Sequence, residues 1–162
     1  MKLEEIVGYL PFKLMAYDER QEQKTDIIVG MFHNSLDFEN WSPLDLGKLE
    51  NYKIVLHPLS DLKKPCLEGG KIPIVELAKI ESRDRNWVLG KIGFVEWYCS
   101  YGKFTFNITI FQGRILSVNH CLNMKHVQCN NIVEIFQKLY EWHFDIYGLI
   151  ERGEAIDINT LT

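Results

Sequence analysis

Two patterns of apolar and polar residues dominate the chain. Over residues 104–110 apolar side chains occupy every second position, a period of two that predicts a strand with one apolar face. A turn is expected at Gln112-Gly113, with a returning strand at 115–118. Together with a strand predicted at 94–98, these segments predict an antiparallel β meander.

The second pattern is helical and lies near the C-terminus. Asn131 can cap a helix, and Glu134 three residues later completes a capping-box-like pair. Six apolar residues and one histidine then recur at helical spacing: Ile132, Ile135, Phe136, Leu139, Trp142, His143 and Ile146. This stripe predicts one long amphipathic helix over residues 131–151 that packs on the meander.

The N-terminal part predicts a short helix over residues 3–10, ended by Pro11. Strands at 12–17 and 26–32 flank a polar run and predict a β-hairpin with a solvated tip. A third strand is expected at 52–57. The fold class is therefore α+β, with an antiparallel meander, a long C-terminal amphipathic helix, a short N-terminal helix and a hairpin.

The middle of the chain, residues 63–92, is the least regular. It contains Pro65, Gly69-Gly70 and Pro73, followed by a short helix or strand at 74–80 and a charged loop at 83–86. The length of 162 residues fits a single domain over residues 1–162, with a possible subdomain boundary near 63–86.

Charge and composition narrow the possible functions. The 18 basic and 22 acidic residues give a formal charge of −4, which argues against extensive binding to nucleic acid or anionic membranes. No apolar run approaches the roughly 20 residues of a membrane helix, and the N-terminus does not read as a signal peptide. A cytoplasmic protein with reduced cysteines is expected.

One cluster has the residue types of a metal site. His120, Cys121, His126 and Cys129 lie within ten residues, and zinc favours imidazole and thiolate ligands. Their spacing matches no common zinc finger, and adjacent strand residues point to opposite faces. The favoured interpretation is that they are ordinary loop and core residues, and no cofactor is predicted.

Histidines suggest an enzymatic alternative. A small hydrolase could use His57, His120 or His143 for acid–base chemistry. The chain has no G-x-S-x-G nucleophile elbow, and His143 fits the apolar stripe of the expected helix. These observations weigh against an enzyme and leave the question open.

Aromatic residues suggest two kinds of binding site. Rings are dense from Phe94 to Phe111, and single strands of nucleic acid stack on such sheets. The few cations nearby favour a packed core instead. A small nucleotide could alternatively bind a pocket formed by aromatic and cationic residues, for which the candidates are Arg83, Arg85, Tyr101, Lys103 and Arg114.

Three parts of the chain carry a family resemblance. They are MKLE with YLPF at the N-terminus, HPLSDL at 57–62, and EWHFDIYGLI at 141–150 with AIDINTL at 155–161. The chain resembles small uncharacterised phage and prophage proteins of Bacteroidetes. The resemblance implies a mobile-element protein acting inside a bacterial cell, and it implies no catalytic residue.

The expected function is therefore that of a non-enzymatic phage-type accessory protein. It would act by binding either a host protein, such as a defence component, or a small nucleotide signal, and it could form a homo-oligomer. A ligand sponge predicts an aromatic pocket with a few cations, whereas a protein mimic predicts an exposed acidic or aromatic face. The sequence leaves both open.

Overall fold

The structure, a computed structural model, describes residues 2–18, 20, 25–81, 88–92, 96–101, 104–122 and 125–161. Two compact units make up the chain, one from residues 1–58 and 140–162 and the other from residues 59–139. Each unit contains one β-sheet. The α+β class is confirmed, while the single domain over residues 1–162 and its boundary near 63–86 stay predictions.

Strands outnumber helices in the described part of the chain. The described strands are β1 (Met15–Asp18), β2 (Thr25–Phe32), β3 (Ser35–Phe38), β4 (Leu44–Asp45), β5 (Tyr52–Leu56), β6 (Val88–Ile92), β7 (Glu96–Tyr101), β8 (Phe104–Phe111), β9 (Arg114–Leu122), β10 (Lys125–Gln128) and β11 (Ala155–Asp157). The described α-helices are α1 (Leu3–Ile6), α2 (Pro73–Glu81) and α3 (Ile132–Glu141). None of these helices has the length and hydrophobicity of a transmembrane span.

The first unit is built on a six-stranded sheet in the order β11-β5-β1-β2-β3-β4. The strand pairing of the hairpin predicted from the N-terminal pattern is confirmed, because β1 and β2 pair antiparallel with Met15 opposite Ile27; residues 19 and 21–24 of its predicted solvated tip lie outside the described residues. The third predicted strand is β5, which pairs antiparallel with β1. Its other edge pairs in parallel with β11, so the sheet joins residues from both ends of the sequence.

The second unit contains a five-stranded antiparallel meander in the order β10-β9-β8-β7-β6. The strand predicted at residues 104–110 is confirmed as part of β8, where Phe106 and Ile108 are fully buried and Asn107 between them is only 9% exposed. Helix α2 belongs to the same unit, and its Ile74, Leu77 and Ala78 are also fully buried. Of the two structures considered for 74–80, the chain forms the helix. The predicted loop at 83–86 lies outside the described residues.

The long C-terminal helix is the part of the prediction that is wrong. Helix α3 ends at Glu141, and His143 has a left-handed φ of 54°. The backbone N–H of His57 donates to the His143 carbonyl at 2.8 Å, and that of Asp145 donates to the His57 carbonyl at 2.9 Å. This parallel bridge satisfies the hydrogen-bonding groups of the backbone without a helix. Phe144 and Ile146 remain buried, so the apolar periodicity of the sequence does not distinguish the bridge from a longer helix.

Gly8 packs closely against the ring of Tyr140. The Tyr140 hydroxyl lies 2.7 Å from that of Tyr147, and the Tyr140 ring packs edge-on against Tyr9 at 4.8 Å between centroids. A Cβ added to Gly8 would overlap the Tyr140 ring. Overpacking of this kind costs about 2 kcal/mol because the fixed ring has to move.

We therefore expect Gly8→Ala to lower the free energy of unfolding by about 2 kcal/mol in urea denaturation. Gly30→Ala is the matched control, since a Cβ there has no atom within 4 Å. Equal stability of the two variants would contradict the close packing of Gly8 against Tyr140.

Candidate binding surface

A β-bulge shapes the end of the β2–β3 hairpin. Ile28 pairs with Phe38 and Gly30 with Asp37, so Val29 is the extra residue on β2. Beyond the bulge Met31 pairs with Leu36 and Phe32 with Ser35. Residues directly opposite in an antiparallel pair project to the same face, and this register therefore assigns each of these side chains to a side of the sheet.

One side is buried and the other is open. Leu36 pairs with Leu44 of β4, and these two side chains are only 1% and 7% exposed. The opposite side consists of five positions linked by register, and we call it the outer face: Gly30, Phe32, Ser35, Asp37 and Asp45. A Cβ built on Gly30 meets no atom within 4 Å, so the space above this position is open, while Ser35 and Asp37 on the same face are partly buried.

Large apolar residues are exposed at this end of the hairpin. Phe32 on the outer face is 65% exposed, and Val29 at the bulge is 57% exposed. Met31 pairs with Leu36 and so projects to the other side of the sheet, where it is 42% exposed. The ring of Phe32 rests on that of His33, with centroids 4.1 Å apart. Single exposed apolar residues are ordinary on protein surfaces, but a local group of them is typical of interaction sites.

The segment that contains the outer face, residues 25–47, carries acidic side chains but neither lysine nor arginine. Its acidic residues are Asp26, Asp37, Glu39 and Asp45. Asp26 is buried, whereas Glu39 and Asp45 are exposed and Asp37 is partly exposed. The outer face therefore combines an exposed aromatic ring with carboxylates.

Asp26 holds the loop that follows β3. Its carboxylate accepts hydrogen bonds from the backbone N–H groups of Asn40 at 2.8 Å and Trp41 at 2.6 Å, and from the Asn40 side chain at 3.0 Å. Burial alone would raise the pKa of Asp26, but these hydrogen bonds outweigh it and lower the pKa. The carboxylate is thus structural.

Asp145 has a similar structural role near the C-terminus. Its side chain is buried and accepts backbone N–H bonds from Leu149 and Ile150, both at 2.8 Å. Burial raises the pKa of Asp145, against the lowering effect of these and neighbouring backbone donors. The carboxylate holds the turn after α3 and is removed from solvent.

The three histidines of the hydrolase alternative are divided between the two units. His57 and His143 are joined through their backbones in the first unit, and the Nε2 of His143 lies 2.8 Å from the Phe12 carbonyl. Because that carbonyl accepts, Nε2–H donates. Burial lowers the pKa of His143, and nearby His57 lowers it further. His143 is therefore a packed, neutral anchor of a turn, and its predicted place on a helical stripe is wrong.

His120 belongs to the second unit. Its Nδ1 lies 3.6 Å from the Glu81 carboxylate, which also accepts backbone N–H bonds from Asn130 at 3.2 Å and Asn131 at 3.3 Å. Glu81 thus joins the end of α2 to the segment that leads into α3. These contacts give the Glu81 carboxylate a structural role.

The predicted metal cluster is only partly described. Cys121 and His126 are register partners on β9 and β10, and Cys129 is buried just before α3. Across the described residues, no group of three or more histidine, cysteine, aspartate or glutamate side chains could hold a metal ion. The side chains of Cys121 and His126 lie outside the description, so the favoured interpretation of ordinary loop and core residues, and the metal-site alternative, both stay untested.

The residues predicted to bind a small ligand are also incompletely placed. Arg83, Arg85 and Lys103 lie outside the described residues. Tyr101 ends β7 opposite Phe104, and Arg114 begins β9 with an exposed side chain. The pocket that would combine them remains a prediction.

The chain matches no protein-family model, no curated protein and no solved structure. The resemblance to phage-type proteins therefore stays a prediction.

The sequence patterns did not predict the outer face. The strand at 26–32 was predicted, but β3 and β4, which complete the face, were not. One signal was available, because a stretch of 23 residues from 25 to 47 lacks any lysine or arginine yet contains Met31, Phe32 and Trp41. An apolar segment with charge of one sign indicates a surface that meets another molecule.

Proposed function

We propose that this protein is a non-enzymatic accessory protein that acts by binding another protein through the outer face. The observation that carries the proposal is the 65% exposure of Phe32 on a face that also carries Asp37 and Asp45. A bacterial host protein is the proposed partner, in line with the phage-type resemblance and a cytoplasmic location.

Two features favour binding over catalysis. The buried carboxylates of Asp26 and Asp145 are engaged by backbone donors, and Nε2 of His143 is engaged by the Phe12 carbonyl. Burial also raises the pKa of the Cys66 thiol, which disfavours the thiolate that a nucleophilic cysteine needs. These groups stabilise the fold and lack the open geometry of catalytic residues.

The outer face fits a protein better than a nucleotide. A small anionic ligand needs cations in a concave site, whereas this face is uncovered around Gly30 and belongs to a segment without lysine or arginine. Hot spots of protein interfaces are typically large aromatic side chains such as Phe32 with a polar surround. Of the two expected modes, the protein mimic with an acidic and aromatic face is the one supported.

A crosslinking experiment in bacterial cells tests the proposal. A photoreactive amino acid at Gly30 is expected to crosslink a discrete partner, because the position is open and adjoins Phe32 on the same face. Adding Phe32→Ser should abolish the crosslink. Phe111→Ser is the matched control, since Phe111 is also an exposed ring, at 58%, on the β8–β9 hairpin.

The same crosslink in the Phe32→Ser and Phe111→Ser proteins would contradict a site on the outer face. Turnover of nucleotide, ester or peptide substrates by the purified protein would contradict the non-enzymatic role.

A further inference from the structure

We infer that the partner surface which receives the outer face is apolar at its centre and positively charged around it. This inference rests on the proposed function and adds the chemistry of the partner. The carboxylates of Asp37 and Asp45 lie on the same side of the sheet as the ring of Phe32. Gly30 pairs with Asp37, Phe32 with Ser35, and Ser35 with Asp45, and residues directly opposite each other project to the same face.

The distances set by strand geometry are short enough for these charges to matter. Neighbouring strands lie about 4.8 Å apart and alternate residues about 7 Å apart, which puts Asp37 and Asp45 within about 10 Å of Phe32. That separation is close to the Debye length of about 8 Å at physiological ionic strength. A partner group that covers Phe32 therefore experiences both carboxylates.

Three other occupants fit this surface less well. A second copy docked through the same face would bring like charges together, which opposes association. Nucleic acid would bring its phosphates to a surface of the same sign. An acidic protein would be repelled in the same way, so a cationic protein surface is the remaining complement.

The β8–β9 hairpin also carries large exposed apolar side chains. Phe111 and the bulged Leu116 are 58% and 69% exposed, while residues 104–122 contain Arg114 and no acidic residue. Glu96 of β7 pairs with Thr109 of β8, so this end also has a carboxylate position beside its ring. Phe111 is therefore the control for the loss of an exposed ring at another hairpin end.

Defined peptides can test the partner chemistry with the full chain. The probes are a helical peptide of leucine and lysine, the same peptide with glutamate in place of lysine, and polylysine. We expect the protein to bind the leucine–lysine peptide, measured by fluorescence anisotropy, and to bind the other two much more weakly. Phe32→Ser should weaken binding by about 30-fold, as expected for an aromatic hot spot, and Phe111→Ser should have little effect.

Charge variants complete the experiment. The double variant Asp37→Asn, Asp45→Asn should bind the leucine–lysine peptide about 5-fold more weakly. The loop should stay intact, because the amide at position 45 keeps an oxygen that can accept the Gly47 N–H, which now donates to Asp45 at 2.7 Å. Gly30→Lys should weaken binding similarly by placing a cation on the face, whereas Gly30→Ala should not. Unfolding midpoints establish that each variant is folded.

The possible outcomes separate the inference from the proposed function. Equal binding of the glutamate peptide, equal binding of polylysine, no response to the charge variants, or no binding of the leucine–lysine peptide would each overturn the inferred partner chemistry. None of these results affects the crosslink from position 30, whose dependence on Phe32 tests the proposed function.

Discussion

Asp145→Ala is expected to lower the free energy of unfolding by about 3 kcal/mol. The substitution leaves the backbone N–H groups of Leu149 and Ile150 without the carboxylate that now accepts both at 2.8 Å. Each buried donor left unsatisfied costs about 1–3 kcal/mol. Urea denaturation followed by circular dichroism measures the loss.

Asp157 provides the control for this prediction. It makes a comparable local bond by accepting the backbone N–H of Asn159 at 2.9 Å, but in an exposed setting. Asp157→Ala should therefore cost only about 1 kcal/mol, in the range of an ordinary cap. Similar losses for Asp145→Ala and Asp157→Ala would show that burial of the Asp145 turn has been misjudged.

We expect Asp26→Ala to be the second most destabilising of these changes, with a loss of about 2 kcal/mol. It releases the N–H groups of Asn40 and Trp41, which are partly buried, so the cost per donor is smaller than at Asp145. Trp41 packs against Phe38 at 5.2 Å between ring centroids. The loss should be accompanied by a change in tryptophan emission that is absent when the same substitution is made in Trp41→Phe protein.

Asp26 and Asp145 should respond to pH with opposite signs. The pKa of Asp26 is lowered from 3.8, so its stabilisation is present above that value and is lost as pH falls toward the folded-state pKa. The pKa of Asp145 is raised from 3.8, so its contribution is largest below that value and declines as pH rises through the folded-state pKa.

Asn variants reveal these signs because the amide does not titrate in this range. The stability advantage of the wild type over Asp26→Asn should grow as pH rises, and its advantage over Asp145→Asn should shrink. Denaturation at several pH values between about 3 and 7, the range around the ordinary carboxyl pKa, checks both, and parallel pH profiles for the two variants would contradict the assignment.

Local sequence patterns predicted the elements that are stabilised locally. The strand β8 follows from apolar side chains that repeat with a period of two, and Phe106 and Ile108 are fully buried as that pattern requires. For residues 74–80 the pattern left helix and strand open, and the chain forms α2. The hairpin of β1 and β2 was also predictable. Each of these elements buries residues that are neighbours in sequence.

Elements that depend on distant backbone were not predictable. Helix α3 stops at Glu141 because His57 pairs with the backbone around Phe144, which no periodicity in residues 131–151 signals. Strand β11 has only three residues, too few for a recognisable period. The outer face depended on the short β4 and on a bulge at Val29, neither of which has a sequence signature of its own.

The parallel pairing of β11 with β5 has a consequence for synthesis on the ribosome. The residues of the second unit are contiguous, from 59 to 139, whereas the first unit needs residues 140–162 to be complete. Until Ala155–Asp157 emerge, one edge of β5 lacks its neighbour in the nascent chain, and unpaired edges promote aggregation. Misassembly of the first unit should therefore be most frequent in the interval before Ala155–Asp157 leave the ribosome, when the β5 edge is still unpaired.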